Sequence, residues 1–276
     1  MGSRDMKTTV LVDNTDGIRV KGEWGLSFYI EYEGKRILLD AGLSNLFAAN
    51  AETLGLSLDD VDYAVLSHAH DDHANGLVKF LQMNRDAKLY IANGCYEDCY
   101  DRKHILYKYA GIPKGMLSRF EDRIVRSSGK EELTKGVWIL GHSTPGLEAV
   151  GVREKMFRKE GFFKYRPDDF NHEQSLIFEL EDGIVIFNSC SHAGADVIIR
   201  EAMEQFPGKR MLAMIGGFHL YKRDEEYVRQ FARRVEETGV ESIYTGHCTG
   251  ENSLKILEDE LGDKVHRLMS GMVFEV

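Results

Sequence analysis

Two features are scarce in this sequence: cysteines and long apolar runs. Four cysteines among 276 residues are too few for the dense disulfide framework of a small secreted domain. No apolar run approaches the ~20 residues that span a bilayer, and the N-terminal segment lacks the apolar core of an export signal. We therefore expect a cytoplasmic protein with no membrane partner, and interpret residues 1–5 as a possible expression remnant ahead of Met6.

The chain is also short of positive charge. Its 35 lysines and arginines stand against 45 acidic residues, which gives a formal net charge of −10. Because phosphate backbones recruit basic surfaces, a nucleic-acid partner is not expected. Hydrophobic residues make up 43% of the chain, enough for a sizeable core. Without an internal repeat or a linker, a single domain over residues 1–276 is the simplest organisation; the oligomeric state stays open.

Strand-like and helix-like patterns alternate along the chain, which predicts an α/β fold. The segment 96–120 has an irregular helical pattern and residues 146–172 show no period. We interpret about 94–120 and 146–172 as cap or flap segments. Strands are predicted at 8–13, 26–32, 36–40, 63–67, 88–92, 136–140, 174–181, 184–187, 211–216, 242–245 and 272–276, and helices at 46–54, 77–83, 195–206, 224–237 and 253–261.

Metal-binding side chains are concentrated just after one predicted strand. His68 and His70 follow the apolar run Tyr63–Ser67, and Asp72 and His73 come directly after them. At a spacing of two in extended chain, the first two histidines point the same way. One ion could not easily accept four groups from so short a segment, so the spacing predicts two ions.

The run His68-Ala69-His70-Asp71-Asp72-His73 resembles the signature of the metallo-β-lactamase superfamily. The chain further resembles the branch named for dihydropterin–ribofuranosyl-aminobenzene-phosphate synthases. The resemblance implies a four-layer αβ/βα sandwich with the metals at one edge between two sheets. The strings that carry the branch resemblance include Leu39-Asp40-Ala41-Gly42, Cys190-Ser191-His192-Ala193-Gly194, Gly216-Gly217-Phe218-His219-Leu220 and Thr245-Gly246-His247-Cys248-Thr249-Gly250.

The resemblance also implies the remaining metal ligands. His247 matches the superfamily's last metal histidine, on the second ion. Most members have a bridging aspartate near Cys190, and this chain departs from that pattern. Either Cys190 binds the second ion as a thiolate or His192 supplies the missing bond, and we favour His192. His142 resembles a histidine that elsewhere binds the first ion, so whether His142 or His192 completes that site stays open.

Other residues are expected to support the centre and its chemistry. In the superfamily an aspartate such as Asp40 holds the histidine-rich loop. Asp72 is expected to bind metal and orient the nucleophile, and His219 to face the substrate or its leaving group. Mostly nitrogen ligands with one carboxylate favour two zinc ions, with manganese or iron as alternatives. Two such cations would activate a water at neutral pH.

Two segments reverse the negative charge of the chain. Residues 102–119 hold five basic and no acidic side chains, and residues 153–166 hold six basic and two acidic ones. If they overhang the metals, the pocket suits a small anionic substrate carrying a ring, with Lys164 and Arg166 as candidate binding residues. The first functional hypothesis is a hydrolase of phosphoesters or phosphodiesters. The alternatives are a carboxylic ester, thioester or lactone hydrolase, and a non-hydrolytic di-iron redox protein or metal-bound sensor.

Overall fold

The computed structural model describes residues 6–276; the interpretation of residues 1–5 lies outside the described residues. The first of two large sheets contains seven strands in the order β18-β1-β2-β3-β4-β5-β8. Strands β1 to β3 pair antiparallel, whereas β3, β4, β5 and β8 are parallel. The strands are β1 (Lys7–Val12), β2 (Ser27–Tyr32), β3 (Lys35–Leu39), β4 (Tyr63–Val65), β5 (Lys88–Ala92), β8 (Ile124–Ser127) and β18 (Val273–Glu275).

The second sheet also contains seven strands, in the order β17-β16-β15-β14-β13-β10-β9. Strands β9, β10, β13 and β14 pair antiparallel, and β14 to β17 are parallel. These strands are β9 (Lys130–Thr134), β10 (Val137–Gly141), β13 (Gln174–Glu179), β14 (Gly183–Phe187), β15 (Arg210–Gly216), β16 (Ser242–Thr245) and β17 (Val265–Arg267).

Helices cover the outer face of each large sheet, which confirms the four-layer sandwich. One apolar cluster packs α1 and α3 on the first sheet, another packs α6, α7 and α8 on the second, and a third joins the two sheets through contacts such as Phe28 with Phe187. No helix within residues 6–276 is long and apolar enough to cross a membrane. The helices are α1 (Leu46–Leu54), α2 (Asp71–Ala74), α3 (Leu77–Met83), α4 (Met116–Arg119), α5 (Glu148–Glu154), α6 (Ala195–Gln205), α7 (Glu225–Glu236) and α8 (Glu251–Leu261), with 3-10 turns at Glu121–Arg123, His247–Thr249 and Gly262–Lys264.

A third, smaller sheet joins the two segments that the sequence suggested as caps. Its order is β12-β11-β6-β7, formed by β6 (Cys99–Lys103), β7 (Leu106–Tyr109), β11 (Met156–Lys159) and β12 (Tyr165–Pro167). The helical pattern predicted over 96–120 was therefore wrong for most of that segment, where only Met116–Arg119 is α-helical. The strands have three to five residues, too short for a period-two pattern to stand out.

The carboxyl ends of the parallel strands place the chemistry-bearing residues. Asp40 follows β3, and the histidine loop at 68–73 follows β4, its parallel neighbour. In the other sheet Cys190, His219 and His247 follow the parallel neighbours β14, β15 and β16. Since parallel strands end at the same edge of a sheet, side chains separated along the chain meet there.

Candidate metal centre

Asp40 anchors the histidine loop to the end of the neighbouring strand. Its carboxylate accepts hydrogen bonds from the Ser67 backbone N–H and hydroxyl, both at 2.7 Å, and lies 2.8 Å from His73 Nδ1. Asp40 and His73 are fully buried, so this contact fixes the ring orientation and directs Nε2 away from Asp40. The structure thus places Asp40 behind the loop that carries the candidate ligands.

Three histidines form the first donor group. The side chains of His68, His70 and His192 offer ring nitrogens that lie within 4.8 Å of one another. Their Nε2 atoms are buried, and none has a hydrogen-bond partner among residues 6–276; the nearest carboxylate oxygen to His70 Nε2 is Asp168 Oδ2, at 3.7 Å. A buried polar atom without a partner costs ~1–3 kcal/mol, and three in one place are exceptional. Three converging imidazole nitrogens are a donor set that zinc accepts.

Two members of this group, His68 and His192, contact neighbouring side chains through their Nδ1 atoms. His68 Nδ1 lies 2.8 Å from Ser67 Oγ, and His192 Nδ1 lies 3.2 Å from Glu173 Oε1. Phe170 stacks on the His192 ring with centroids 4.2 Å apart. Such contacts select the tautomer and the orientation of a metal-binding imidazole, so they present Nε2 of His68 and His192 to the first site.

Asp72, His73 and His247 form the second donor group. Nε2 of His73 lies 3.2 Å from Nε2 of His247, and Asp72 Oδ2 lies 3.4 Å from the latter atom. Burial would raise the pKa of Asp72, but His73 and His247 hold that pKa well below its usual range. The carboxylate is therefore ionised, and two imidazole nitrogens face each other beside it. This arrangement suits a divalent cation.

Residues from the first sheet complete the surroundings of the second group. His247 Nδ1 lies 3.0 Å from Asn14 Oδ1, and the His247 backbone N–H donates to Asp13 Oδ2 at 2.8 Å. The indole N–H of Trp24 donates to Asp72 Oδ2 at 2.9 Å. The first sheet therefore orients a histidine that the second sheet supplies.

Cys190 lies between the two donor groups. Its Sγ atom is 3.3 Å from His73 Nε2 and 3.6 Å from Cys248 Sγ, and it groups with His68 and His73 on one side and with His247 and Cys248 on the other. Burial raises the pKa of the Cys190 thiol well above its usual value. The position is that of a residue able to bridge two ions, while His192 belongs to the first group.

Strained backbone coincides with the same strand ends. Asp40, Ser191, His219 and His247 have φ angles between 46° and 60°, in the left-handed region that non-glycine residues rarely adopt. Each such residue costs of the order of 1–3 kcal/mol and persists where the surrounding structure holds it. Their concentration at this edge supports a functional role for it.

His142 lies outside both donor groups. Its Nδ1 is 2.9 Å from Glu201 Oε2, and its Nε2 is 2.8 Å from Ser175 Oγ and 3.2 Å from Asn188 Nδ2. Both ring nitrogens have partners, so no lone pair is left facing a metal site. The structure therefore brings His192, and not His142, to His68 and His70.

A cavity of about 300 Å³ opens onto the donor groups. Its wall includes His219, whose Nδ1 lies 3.5 Å from Glu154 Oε2. Burial first, and then the nearby His192, hold the pKa of His219 well below its usual value. The other residues of the wall are Trp24, Leu43, His70, Asp71, Asp72, Asp101, Lys108, Tyr109, Ala110, Glu154, Met156, Cys190, Tyr221, Lys222, His247 and Cys248.

Lys164 and Arg166 do not line this cavity, which corrects the expectation that they bind substrate. Lys164 Nζ lies 2.7 Å from Glu160, and Arg166 pairs with Glu160 at 3.0 Å and Asp169 at 2.8 Å. These acidic neighbours compensate both charges. The cap instead contributes Lys108 to the cavity wall.

Sequence reasoning gave no supporting role to several residues. Glu173 contacts a candidate ligand but lies in no motif, whereas Asn14 and Trp24 lie in two further strings that match the resembling branch, Leu11-Val12-Asp13-Asn14 and Trp24-Gly25-Leu26-Ser27. His172 Nε2 lies 3.1 Å from Asp168 Oδ2, and its Nδ1 accepts the Ala69 backbone N–H at 3.2 Å. Asp168 and His172 are four positions apart, and Glu173 and His192 are nineteen apart. The contacts of Trp24, Ala69 and Asn14 span 48 to 233 positions, too far for a local pattern to show them.

The comparisons with known proteins agree with this geometry. The model of the metallo-beta-lactamase superfamily matches residues 25–189. A relative from Methanocaldococcus jannaschii, 7,8-dihydropterin-6-methyl-4-(beta-D-ribofuranosyl)-aminobenzene-5'-phosphate synthase, is 28% identical, with 91% of this chain and 89% of the relative covered. Exodeoxyribonuclease WalJ of Streptococcus pneumoniae is 25% identical, with 87% and 83% covered. The crystal structure of Tm1679, a metal-dependent hydrolase of the beta-lactamase superfamily, has a TM-score of 0.81 at 26% identity, with 98% and 99% covered.

Proposed function

Because the chain belongs to the metallo-β-lactamase superfamily, we propose that it is a metal-dependent hydrolase of a small anionic phosphoester or phosphodiester. One observation carries the proposal: the Nε2 atoms of His68, His70 and His192 converge without a hydrogen-bond partner among the described residues, a second donor group lies beside them, and His70, Asp72 and His247 open both groups to one cavity. The first group would hold one ion, and Asp72, His73 and His247 a second, with Cys190 between them. Two bound divalent ions would supply an activated water and Lewis acidity at the electrophile.

The side chains around the ions would position the substrate. Lys108 and Lys222 line the cavity and provide cations for non-bridging phosphoryl oxygens. His219 is held neutral by burial, so one of its ring nitrogens donates and the other accepts. It would orient the leaving group by a hydrogen bond instead of acting as a charged acid. Trp24 restrains Asp72 through the indole N–H and would keep that carboxylate aimed at the second ion.

The choice of a phosphoester over a carboxylic ester rests on charge. The cavity wall holds two lysines against the carboxylates of Asp71, Asp72, Asp101 and Glu154. Two bound divalent ions would make the total charge positive and would favour a substrate that stays anionic. The similar Streptococcus pneumoniae protein is named for cleaving a phosphodiester polymer, whereas the Methanocaldococcus jannaschii protein is named a synthase. Cleavage is therefore the reaction to test first, with zinc as the first metal and manganese and iron as alternatives.

A substrate panel tests the proposal. Protein loaded with zinc, manganese or iron is assayed on 4-nitrophenyl phosphate, bis(4-nitrophenyl) phosphate, 4-nitrophenyl acetate, a thioester and a lactone. We expect turnover of a phosphate ester that is lost in His68→Ala and kept in His266→Ala, a histidine that belongs to neither donor group. Turnover confined to the acetate, thioester or lactone would contradict the substrate class. A coloured iron protein inactive on the whole panel would favour the redox or sensor alternative.

A further inference from the structure

A second cavity adjoins the metal pocket and is lined mainly by basic side chains. It has a volume of about 470 Å³, and it shares Asp101 and Lys222 with the wall of the metal pocket. A single molecule can therefore extend from one cavity into the other. The lining residues are Asp101, Arg102, Lys103, His104, Lys155 and Lys222.

The cations that line this cavity have no carboxylate of the described residues within ion-pair distance. Within residues 6–276, Arg102, Lys103, Lys155 and Lys222 form no ion pair. Asp101 is the acidic residue in the wall, so four cationic side chains, three of them exposed lysines, share the wall with one carboxylate. The chain as a whole carries a formal charge of −10, and a local excess of this kind attracts anions into a concave site.

Three segments of the chain bring these cations together. Arg102 and Lys103 end β6, and Lys155 precedes β11, the strand that pairs with β6. The backbone N–H of Arg102 donates a hydrogen bond to the backbone carbonyl of Lys155 at 2.9 Å. Lys155 has a φ of 62°, a conformation that favours glycine. Lys222 lies on the loop that also carries His219. The cavity is thus built from the small sheet and from a loop of the metal centre.

We propose that this cavity binds a second phosphate of the same substrate whose reacting phosphoester lies at the metal centre. The inference rests on the proposed function and narrows it to a small molecule with two separated phosphate groups. Lysine and arginine side chains form charge-assisted hydrogen bonds with phosphate oxygens. The metal pocket would hold the group that reacts, and the basic cavity would set which molecules bind well.

A matched pair of probes tests the inference. Thymidine 5′-(4-nitrophenyl phosphate) and its 3′-phosphorylated derivative have the same reacting group and differ by one distal phosphate. We expect kcat/KM to be about tenfold higher for the 3′-phosphorylated probe, mainly through KM, as one charge-assisted contact would give. Lys155→Ala should reduce that ratio severalfold, and Lys155→Arg should restore most of it.

Lys135→Ala is the control variant. This exposed lysine belongs to a cavity formed by hairpin turns, at the strand ends that lie away from the metal centre. The Lys135→Ala substitution removes the same charge as Lys155→Ala but should keep the wild-type ratio of kcat/KM between the two probes. A wild-type ratio near one, or a ratio that Lys155→Ala leaves unchanged, would overturn the inference.

Equilibrium binding keeps the inference testable if neither probe is hydrolysed. Calorimetry compares thymidine 3′,5′-bisphosphate with thymidine 5′-monophosphate on the metal-loaded protein. If the bisphosphate binds more tightly and Lys155→Ala reduces that preference severalfold, the second site is supported even where the proposed hydrolysis fails. Equal affinities, or a preference that Lys155→Ala leaves unchanged, would overturn the inference. A 5′-phosphorylated thymidine octamer that binds more tightly than the bisphosphate would overturn the small-molecule assignment in favour of an oligonucleotide.

Discussion

His142 and His192 follow two strands of the same sheet, and both side chains are almost fully buried, with exposed fractions of 2% and 0%. Each ring contacts a glutamate through Nδ1: His142 at 2.9 Å from Glu201, and His192 at 3.2 Å from Glu173. The difference lies at the other nitrogen. Nε2 of His142 has two polar neighbours, whereas Nε2 of His192 has none among residues 6–276 and points towards His68 and His70.

Burial alone therefore cannot assign one of these histidines as structural and the other as a candidate ligand. A buried imidazole with both nitrogens bonded is satisfied without an ion. One with a single bonded nitrogen carries a desolvation cost that a metal would remove. The two histidines therefore offer matched sites at which the assignment can be tested by the same substitution.

The largest effect is expected from substituting the two histidines themselves. His192→Asn removes one of three nitrogens from the first group, so the protein should retain about one ion and lose activity by ~100-fold or more, beyond the usual effect of a residue that only supports a ligand. His142→Asn should keep both ions. Elemental analysis after dialysis measures the metal content. If His142→Asn lost an ion and His192→Asn kept two, the contrast would be reversed.

A somewhat smaller loss, in metal affinity, is expected when Asp40 is substituted. Asp40→Asn keeps the size of the side chain but removes the charge that faces His73 and Ser67. Metal affinity should fall by about 10- to 100-fold. Competition with a chromogenic chelator measures this change, and far-ultraviolet circular dichroism checks that the variant is folded. An unchanged affinity in the folded variant would show that Asp40 does not orient the ligands.

The two glutamates sharpen the comparison further. Glu173→Gln should lower the affinity for the first ion by about tenfold, at the lower end of the range for residues that orient ligands, because the amide orients His192 less strongly than the carboxylate. The same change at Glu201, the partner of His142, should leave metal affinity at the wild-type value. The chelator competition serves for both variants. Equal losses would mean that the two histidine sites are not functionally different.

The smallest effect is expected on the free energy of unfolding when Glu201 is substituted, and it should depend on pH. Burial would raise the pKa of Glu201, but hydrogen bonds from His142 and Thr144 lower it below the ordinary 4.5. A carboxylate with a lowered folded pKa contributes stability above pH 4.5 that is lost as the pH falls through the folded value. Glu201→Gln should therefore cost ~1 kcal/mol at pH 7, and the difference should shrink below pH 4.5. Urea unfolding of the metal-free wild-type and variant proteins, at pH 7 and below pH 4.5, measures this difference.

Local patterns in the sequence predicted most of the sandwich. The helices at Leu46–Leu54 and Leu77–Met83 and the strand at Lys88–Ala92 have the bounds that their patterns indicated. The strands of the two cap segments were not predicted, because they pair across more than fifty residues, as Tyr100 does with Phe157. Such pairing depends on tertiary contacts, which the hydrophobic periodicity of a short segment does not reveal.

In the candidate site too, residues close together in the sequence could be predicted, whereas contacts made only on folding could not. His68, His70, Asp72 and His73 lie in one run, so their spacing alone indicated a metal site. The choice between His142 and His192 depends on which ring finds partners after folding. No sequence pattern could show that Ser175 and Asn188 meet Nε2 of His142.

Anomalous diffraction from crystals of the zinc-loaded protein tests the central claim most directly. The account predicts two peaks: one within bonding distance of Nε2 of His68, His70 and His192, and one beside Asp72, His73 and His247. A peak at His142, or the absence of any peak among these six side chains, would contradict it.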